Sequence, residues 1–319
     1  MPDKKAIRLE IRREIKRNRV AYAFISPFYI LFAIFGLFPI AMAIGLGFTN
    51  WRGDPSIDFI GLKNYFDLFN SALFLKSLKN TLIIGVSGNA INLSGALALA
   101  YILNSKLVRR PYIFKVIYFL PMVTSAVASS IIYRALFNNN SGIINNLLEN
   151  LGFDRIFWLG GTGDYLKIVV IVMFAWQWMG WNMVIYLAGM QGISPDITEA
   201  ATIDGASHVS MFFKIVLPLL KPIILFTLIQ STIGTFIIFT EPFMLTGAMR
   251  MDGGANQQAL TTVMFMLDQA PYSRNNYGYA AACANVLCII IITVSIIFTR
   301  TLGEKDETKQ KLKPRKVWI

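Results

Sequence analysis

The stretch SPDITEAATIDGASHVSMFFKIVLP, residues 194–218, lies between two long apolar segments, and its reading decides how the chain is understood. A simple connection between apolar runs needs no helix signals, yet this one carries several. Ser194 is a good N-cap, Pro195 suits the first helical position, and Asp196 and Glu199 suit the positive end of a helix. The pattern predicts a helix over about 195–203. Asp204-Gly205 then breaks it, because glycine takes positive φ without steric cost. A second helix follows, with Val209, Phe212, Phe213 and Val216 on one apolar stripe. Pro218 and Pro222 mark the junction with the next apolar run. Ala200 and Ala201 are small and stand beside Glu199, which permits close approach by another protein's surface. The residues alone leave a second reading open, an amphipathic element lying on a bilayer.

The composition says which bilayer-related class to consider. The 319 residues are 55% hydrophobic and only 15% charged, with a mean hydropathy of +0.53. Soluble domains usually carry about 25% charge. Apolar residues cluster in runs long enough to cross a membrane. The net charge of +12 does not point to nucleic acid, because half of the 30 Lys and Arg sit at the two chain ends. Residues 1–19 hold eight Lys and Arg, and 300–319 hold seven. Such flanks set topology and attract anionic lipid, and no interleaved basic and aromatic surface accompanies them. Cys283 and Cys288 are five apart on different helix faces, so a disulfide or metal site is not expected. The first apolar run is too long for a signal-peptide core and reads as a retained anchor.

Six spans are expected, at about 21–49, 80–103, 112–137, 166–191, 222–246 and 277–300. The first is long enough to tilt, or to hold an interfacial turn near Pro27 or Pro39. Backbone amides in lipid must be satisfied internally, so these are helices, and continuous apolar runs exclude alternating barrel strands. The fold class is therefore an all-α polytopic membrane protein, with a transmembrane domain over 21–300 between basic segments 1–20 and 301–319. With the N-terminus inside, the inner segments hold 20 Lys and Arg and the outer ones 6. That places both termini and the connection 192–221 in the cytoplasm. The outer connections carry turn chemistry and short interfacial helices near NYFDLF (64–69) and IINNLLENL (143–151). No Walker A pattern occurs, so ATP is not bound here in the P-loop manner.

Residues 199–218 resemble the EAA signature of ABC importer permeases. The pattern is Glu199-Ala200-Ala201, three residues, Gly205, nine residues, Ile215, one residue, Leu217-Pro218, with every spacing kept. The stretches FIGLKNYFDLF (59–69), FLPMVTSAVASSIIYRALF (119–137), WQWMGWNMVIYLAGMQGIS (176–194) and EPFMLTG (241–247) are similar to the maltose and oligosaccharide branch. One departure stands out. Many relatives carry Gly-Gly-Pro after LTG, whereas this chain reads LTGAMRMDGGANQQ. The resemblance implies a type I importer transmembrane domain, with a helix-turn-helix coupling loop that docks into a cytoplasmic ATPase. In it Glu199 faces a basic residue of the ATPase, and Asp204-Gly205 shapes the turn. It also implies a second homologous permease subunit, two ATPase subunits carrying the ATP and Mg, an extracytoplasmic solute-binding protein, and a bacterial inner-membrane location. No cofactor is expected in this chain. His208, the only histidine, falls at a variable position of the motif.

Sugar sites combine aromatic faces with amides and carboxylates. The fourth span offers Trp176, Gln177, Trp178, Trp181 and Asn182, and the fifth offers Gln230, Ser231, Thr235, Phe239 and Glu241. From a helix start near 166, Trp178 and Trp181 lie roughly 18–23 Å deep, past the interfacial belt. Candidate pathway residues are therefore Trp178, Trp181, Asn182, Gln230, Thr235, Phe239 and Glu241. Glu241 is the only acid in any expected span, and it either lines the pathway or contacts a neighbouring helix or subunit. Asn89 and Asn92 share one helix face near Gly85, Gly88 and Gly95 and read as interhelical glue. A rival class, an ion-gradient-driven transporter, would favour inverted repeats with paired intramembrane charges. A membrane enzyme would need a constellation of His, Cys or carboxylates at membrane depth.

Overall fold

The computed structural model describes residues 13–105, 108–161, 164–247, 251–272 and 274–303. The basic ends 1–12 and 304–319, and parts of the NSKLVRR, GGTGD and LTGAMRMDGG stretches, lie outside the described residues. Among those described, the only strand-like feature is a single bridge between Thr49 and Phe59.

Four helices are long and apolar enough to cross a membrane: α1 (Arg19–Leu46), α3 (Ala72–Asn104), α7 (Tyr165–Gln191) and α13 (Tyr277–Leu302). The short α2 (Lys63–Asn70) precedes α3, α6 (Ile143–Asn150) precedes α7, and α12 (Thr262–Leu267) precedes α13. No interfacial turn forms in α1. Pro27 sits inside the helix, and the ladder widens over Ala33–Leu37 where Phe38 N–H bonds the Ala33 carbonyl. Pro39 follows this widened turn directly, so the missing N–H falls where the ladder is already displaced. At 28 residues and 1.5 Å rise, α1 is about 42 Å long, enough to cross with tilt.

Two expected spans are broken. The run 112–137 is not one helix but α4 (Pro111–Val123) and α5 (Ala126–Leu136), bent by 98°. Thr124 and Ser125 adopt ψ of 137° and 134°, and Thr124 Oγ1 bonds the Leu120 carbonyl at 3.0 Å, competing with the backbone ladder. The run 222–246 also stops early. Helix α10 (Lys221–Phe236) ends ten residues short of it, and a short α11 (Thr240–Leu245) follows the gap. Pro242 has no N–H for the Ile238 carbonyl, which instead accepts from the buried Thr261 hydroxyl at 3.0 Å. Hydropathy is blind to both breaks because the segments on either side are apolar. The expected stretch 80–103, by contrast, grows to the 33 residues of α3, started by Ser71 Oγ accepting from Phe74 N–H.

Helices α3 and α7 form the centre. Small residues let backbones approach, most acutely at Gly180, where a Cβ would stand 1.8 Å from the Tyr118 carbonyl oxygen of α4. The core divides into three clusters. One surrounds Val169, Val170 and Phe174 of α7. A second joins Ala96, Ala100 and Leu103 of α3 to Tyr186, Met190, Val216 and Leu220. The third packs Phe74, Phe265 and Cys283. Cys283 is buried and Cys288 exposed, on different faces of α13.

Candidate functional sites: an elbow and a polar seam

The stretch 194–218 folds as an elbow of two helices. Helix α8 spans Pro195–Ile203, and α9 spans His208–Leu219. Ser194 occupies the N-cap position of α8, but its side chain makes no capping bond. The C-terminal end is the better-made one. Gly205 takes φ of +78°, its N–H bonds the Thr202 carbonyl at 3.1 Å, and Ala206 N–H bonds Ala201 at 2.9 Å. This pair is the Schellman arrangement, with buried Ala201 facing Ala206 across it. A Cβ at Gly205 would meet nothing within 4 Å, so the residue is required for its φ and not for space. The next helix is capped by Ser207, whose Oγ accepts from Ser210 N–H at 3.2 Å. The S-x-x-S spacing carried that signal.

The expected apolar stripe of α9 is split. Phe212 is half-buried and Val216 buried, but Val209 and Phe213 are exposed. The cause is a wide π turn over Phe212–Val216, which shifts the 3.6-residue phase. Ile215 and Leu217 are half-buried and Pro218 is exposed. Tyr101 of α3, which sequence reasoning missed, fastens the elbow. Its hydroxyl donates to the His208 carbonyl at 2.8 Å, and its ring lies 4.8 Å from Phe212. The elbow is thus seated on α3 and α7, while Glu199, Ala200, Asp204 and Ile203 (86% accessible) present an open face.

The second set of candidates falls along the α3–α7–α10 contact. Asn182, 2% exposed, donates to Asn92 Oδ1 at 3.2 Å and lies 3.4 Å from Ser231 Oγ. Asn89 donates to Thr235 Oγ1 at 3.1 Å, and Tyr186 and Thr227 hydroxyls meet at 2.7 Å. Asn182 and Thr235 therefore tie helices together, as Asn89 and Asn92 do. Trp178 is half-buried against the first core cluster, and the Trp181 ring lies 6.3 Å from Phe119. Gln230 is exposed and does not join the seam. Phe239 lies in the break after α10 and stacks on Phe243 at 5.1 Å. Glu241, 8% exposed, lies in the first turn of α11 and forms no ion pair among the described residues.

The seam is only half satisfied. Asn89 Oδ1, Asn92 Nδ2, Asn182 Oδ1, Gln177 Oε1, Trp181 Nε1 and Ser129 Oγ are buried without a protein hydrogen-bond partner. Such atoms are costly in lipid, so their concentration on these facing helices marks a polar region of the interior. Ser129 gave no sequence signal, because α5 reads as a plain apolar segment. No cluster of three His, Cys, Asp or Glu able to hold a metal exists among the described residues.

The model of the family described as binding-protein-dependent transport system inner membrane component matches residues 11–304. The chain belongs to this family. Within it, the arabinooligosaccharides transport system permease protein AraP of Bacillus subtilis is 35% identical over 90% of both chains. The lactose transport system permease protein LacF of Rhizobium radiobacter is 34% identical over 86% of this chain and 91% of its own. A bacterial ABC transporter that imports the acidic polysaccharide alginate has a chain of the same fold, with a TM-score of 0.74 at 21% identity. That match covers 95% of this chain and 99% of the other. The binding-protein-dependent permease family thus accounts for the all-helical bundle and for its inner-membrane setting.

Proposed function

We propose that the chain is one of two permease subunits of an ATP-driven importer for a sugar or oligosaccharide, and that the elbow is its joint to a cytoplasmic ATPase. The observation carrying this reading is the pairing of a rigid seat with an open docking face. Tyr101, Val216 and Leu220 hold α9 on the central helices, while α8 projects Glu199, Ala200 and Ile203. A rigid helix seated in a partner's cleft passes rigid-body motion to the helices behind it. ATP and Mg belong to the partner ATPase, and this chain carries no bond chemistry. An extracytoplasmic solute-binding protein delivers the substrate to the opposite face, and both termini lie in the cytoplasm.

The relatives' sugars support the substrate class, and the seam supplies the amide and indole groups that meet hydroxyls. The pathway role falls to Trp178, Trp181, Asn182 and Glu241, with Thr235 and Phe239 shaping their surroundings. In the test, the complex is purified from native membrane with wild-type chain or Glu199→Lys. The ATPase subunit and ATP-dependent sugar uptake are expected to be lost together in the variant. Retention of both would remove the coupling role. Trp181→Ala is expected to change uptake while leaving assembly intact.

A further inference from the structure

A polar cavity of about 450 Å³ lies at the opposite end of α3 from the elbow. Ser71 opens α3 on the cavity wall, and Tyr101 holds the elbow thirty residues on, about 45 Å away along the helix. Lys63 and Asp67 of α2, one turn apart, line one side. Arg52, Gln269, Arg274, Asn276 and Tyr279 are among the residues lining the remaining sides. The volume falls within the range of about 300–1,000 Å³ usual for small-molecule sites.

The walls are tied in place. Asn64, buried beneath Lys63, donates to the carbonyls of Gly47 at 3.0 Å and Thr49 at 2.8 Å. Gly278 N–H bonds Trp51, and Asn276 N–H bonds the Gln269 carbonyl at 2.8 Å. The side-chain amide of Gln269 is the feature that points to a ligand. The residue is 5% exposed, borders the cavity, and its amide has no hydrogen-bond partner among the described residues. The amide is not among the fully enclosed unpartnered groups of the bundle, so it opens into the cavity, where a polar group can meet it.

The lining chemistry selects the ligand. Arg52 and Lys63 donate, Asp67 accepts, and Gln269 does both. Phe265 and Tyr279, with ring centroids 6.2 Å apart, add an aromatic border. Sugar hydroxyls both donate and accept, and sugar rings present C–H faces to aromatics. A phosphate or lipid headgroup would instead call for converging cations without an acid. Here Asp67 stands one turn from Lys63, and Arg274 is already held by Asp268 at 3.3 Å.

We propose that this cavity is a saccharide subsite of the permease, taking one unit of a neutral oligosaccharide on the face remote from the ATPase joint. The proposal rests on the sugar-permease reading above. Substrate held here is retained next to the bundle before it reaches the seam.

The purified permease–ATPase complex, in neutral-lipid nanodiscs without the solute-binding protein, is titrated with lactose, arabinotriose and trigalacturonate by saturation-transfer NMR. A neutral probe is expected to bind, and Gln269→Leu and Lys63→Met, checked for intact assembly, each weaken it about fivefold to tenfold. Absence of binding, or binding unchanged by both variants, overturns the subsite. So does Lys63-dependent binding of trigalacturonate alone, or displacement of the sugar by phosphatidylglycerol in the disc. ATP-driven uptake with the solute-binding protein separates the two readings. Uptake without Gln269-sensitive binding withdraws only the subsite, whereas no uptake of any sugar withdraws the permease reading.

Discussion

Replacing Gly205 isolates the conformational demand of the elbow from every other contact. Its φ is +78°, and a Cβ there would meet nothing within 4 Å. Gly205→Ala therefore adds no clash, only the left-handed strain of an L-residue, about 1–2 kcal/mol. That converts to a factor of about 5–30 in the population of the folded elbow. Gly205→Asn should cost less, because asparagine tolerates this region. Gly205→Pro should cost most, about 3 kcal/mol or more. It forces φ negative and removes the N–H that bonds Thr202. Amide hydrogen exchange across 194–211 reads the elbow directly, and ATP-coupled uptake reads its use. The expected order of damage in both is Asn, then Ala, then Pro. Wild-type exchange in the Ala variant, or equal damage from Asn and Pro, would refute the Schellman argument.

Three further outcomes test other parts of the molecule. Asn182→Leu should lower thermal stability by about 0.6–1.7 kcal/mol by stranding Asn92 Oδ1. In a double-mutant cycle with Asn92→Leu, additive losses would mean that the two amides do not act together. Gly180→Ala should destabilise by about 1–3 kcal/mol or more, since α4 must withdraw, whereas Gly234→Ala, with nothing within 4 Å, should be neutral or stabilising by about 0.4–1 kcal/mol. Thermal unfolding in detergent that ranks the two alike would count against the close packing of α4 on α7. The third concerns the pair that joins Glu149, in the last turn of α6, to Arg155. The Arg155 hydrogen bond, reinforced by its charge, holds the Glu149 carboxyl below its ordinary 4.5. A depressed carboxylate contributes above the unfolded value and loses its contribution as pH falls through the folded one. Hydrogen-exchange protection of 143–158 should thus be flat above about pH 5 and fall in more acidic buffer. A loss between pH 6 and 8 would contradict the assignment.

Much of this molecule was legible in the order of its residues. Long apolar runs imply helices wherever lipid offers no hydrogen bonds, and the Ser194-Pro195 start, the Asp204-Gly205 break and the apolar residues after it located both helices of the elbow. The interhelical role of Asn89 and Asn92 was also readable, because amides on a glycine-lined face have few other partners at that depth. Those inferences concern local periodicity, capping and the cost of unsatisfied backbone, which adjacent residues determine.

What only the tertiary structure decided depends on partners far apart in the chain. The break before α11 is stable because the Thr261 hydroxyl donates to the Ile238 carbonyl in place of the N–H that Pro242 lacks. Gln230, expected beside Thr235, faces outward, while Thr235 turns to Asn89. Tyr101 became part of the elbow through a bond to His208, a residue 107 positions away. The cavity under α2 joins side chains from segments near 52, 67 and 269, which nothing in the order of the residues brings together. Periodicity reports which face of a helix is apolar, but the identity of the group across from it is set by packing.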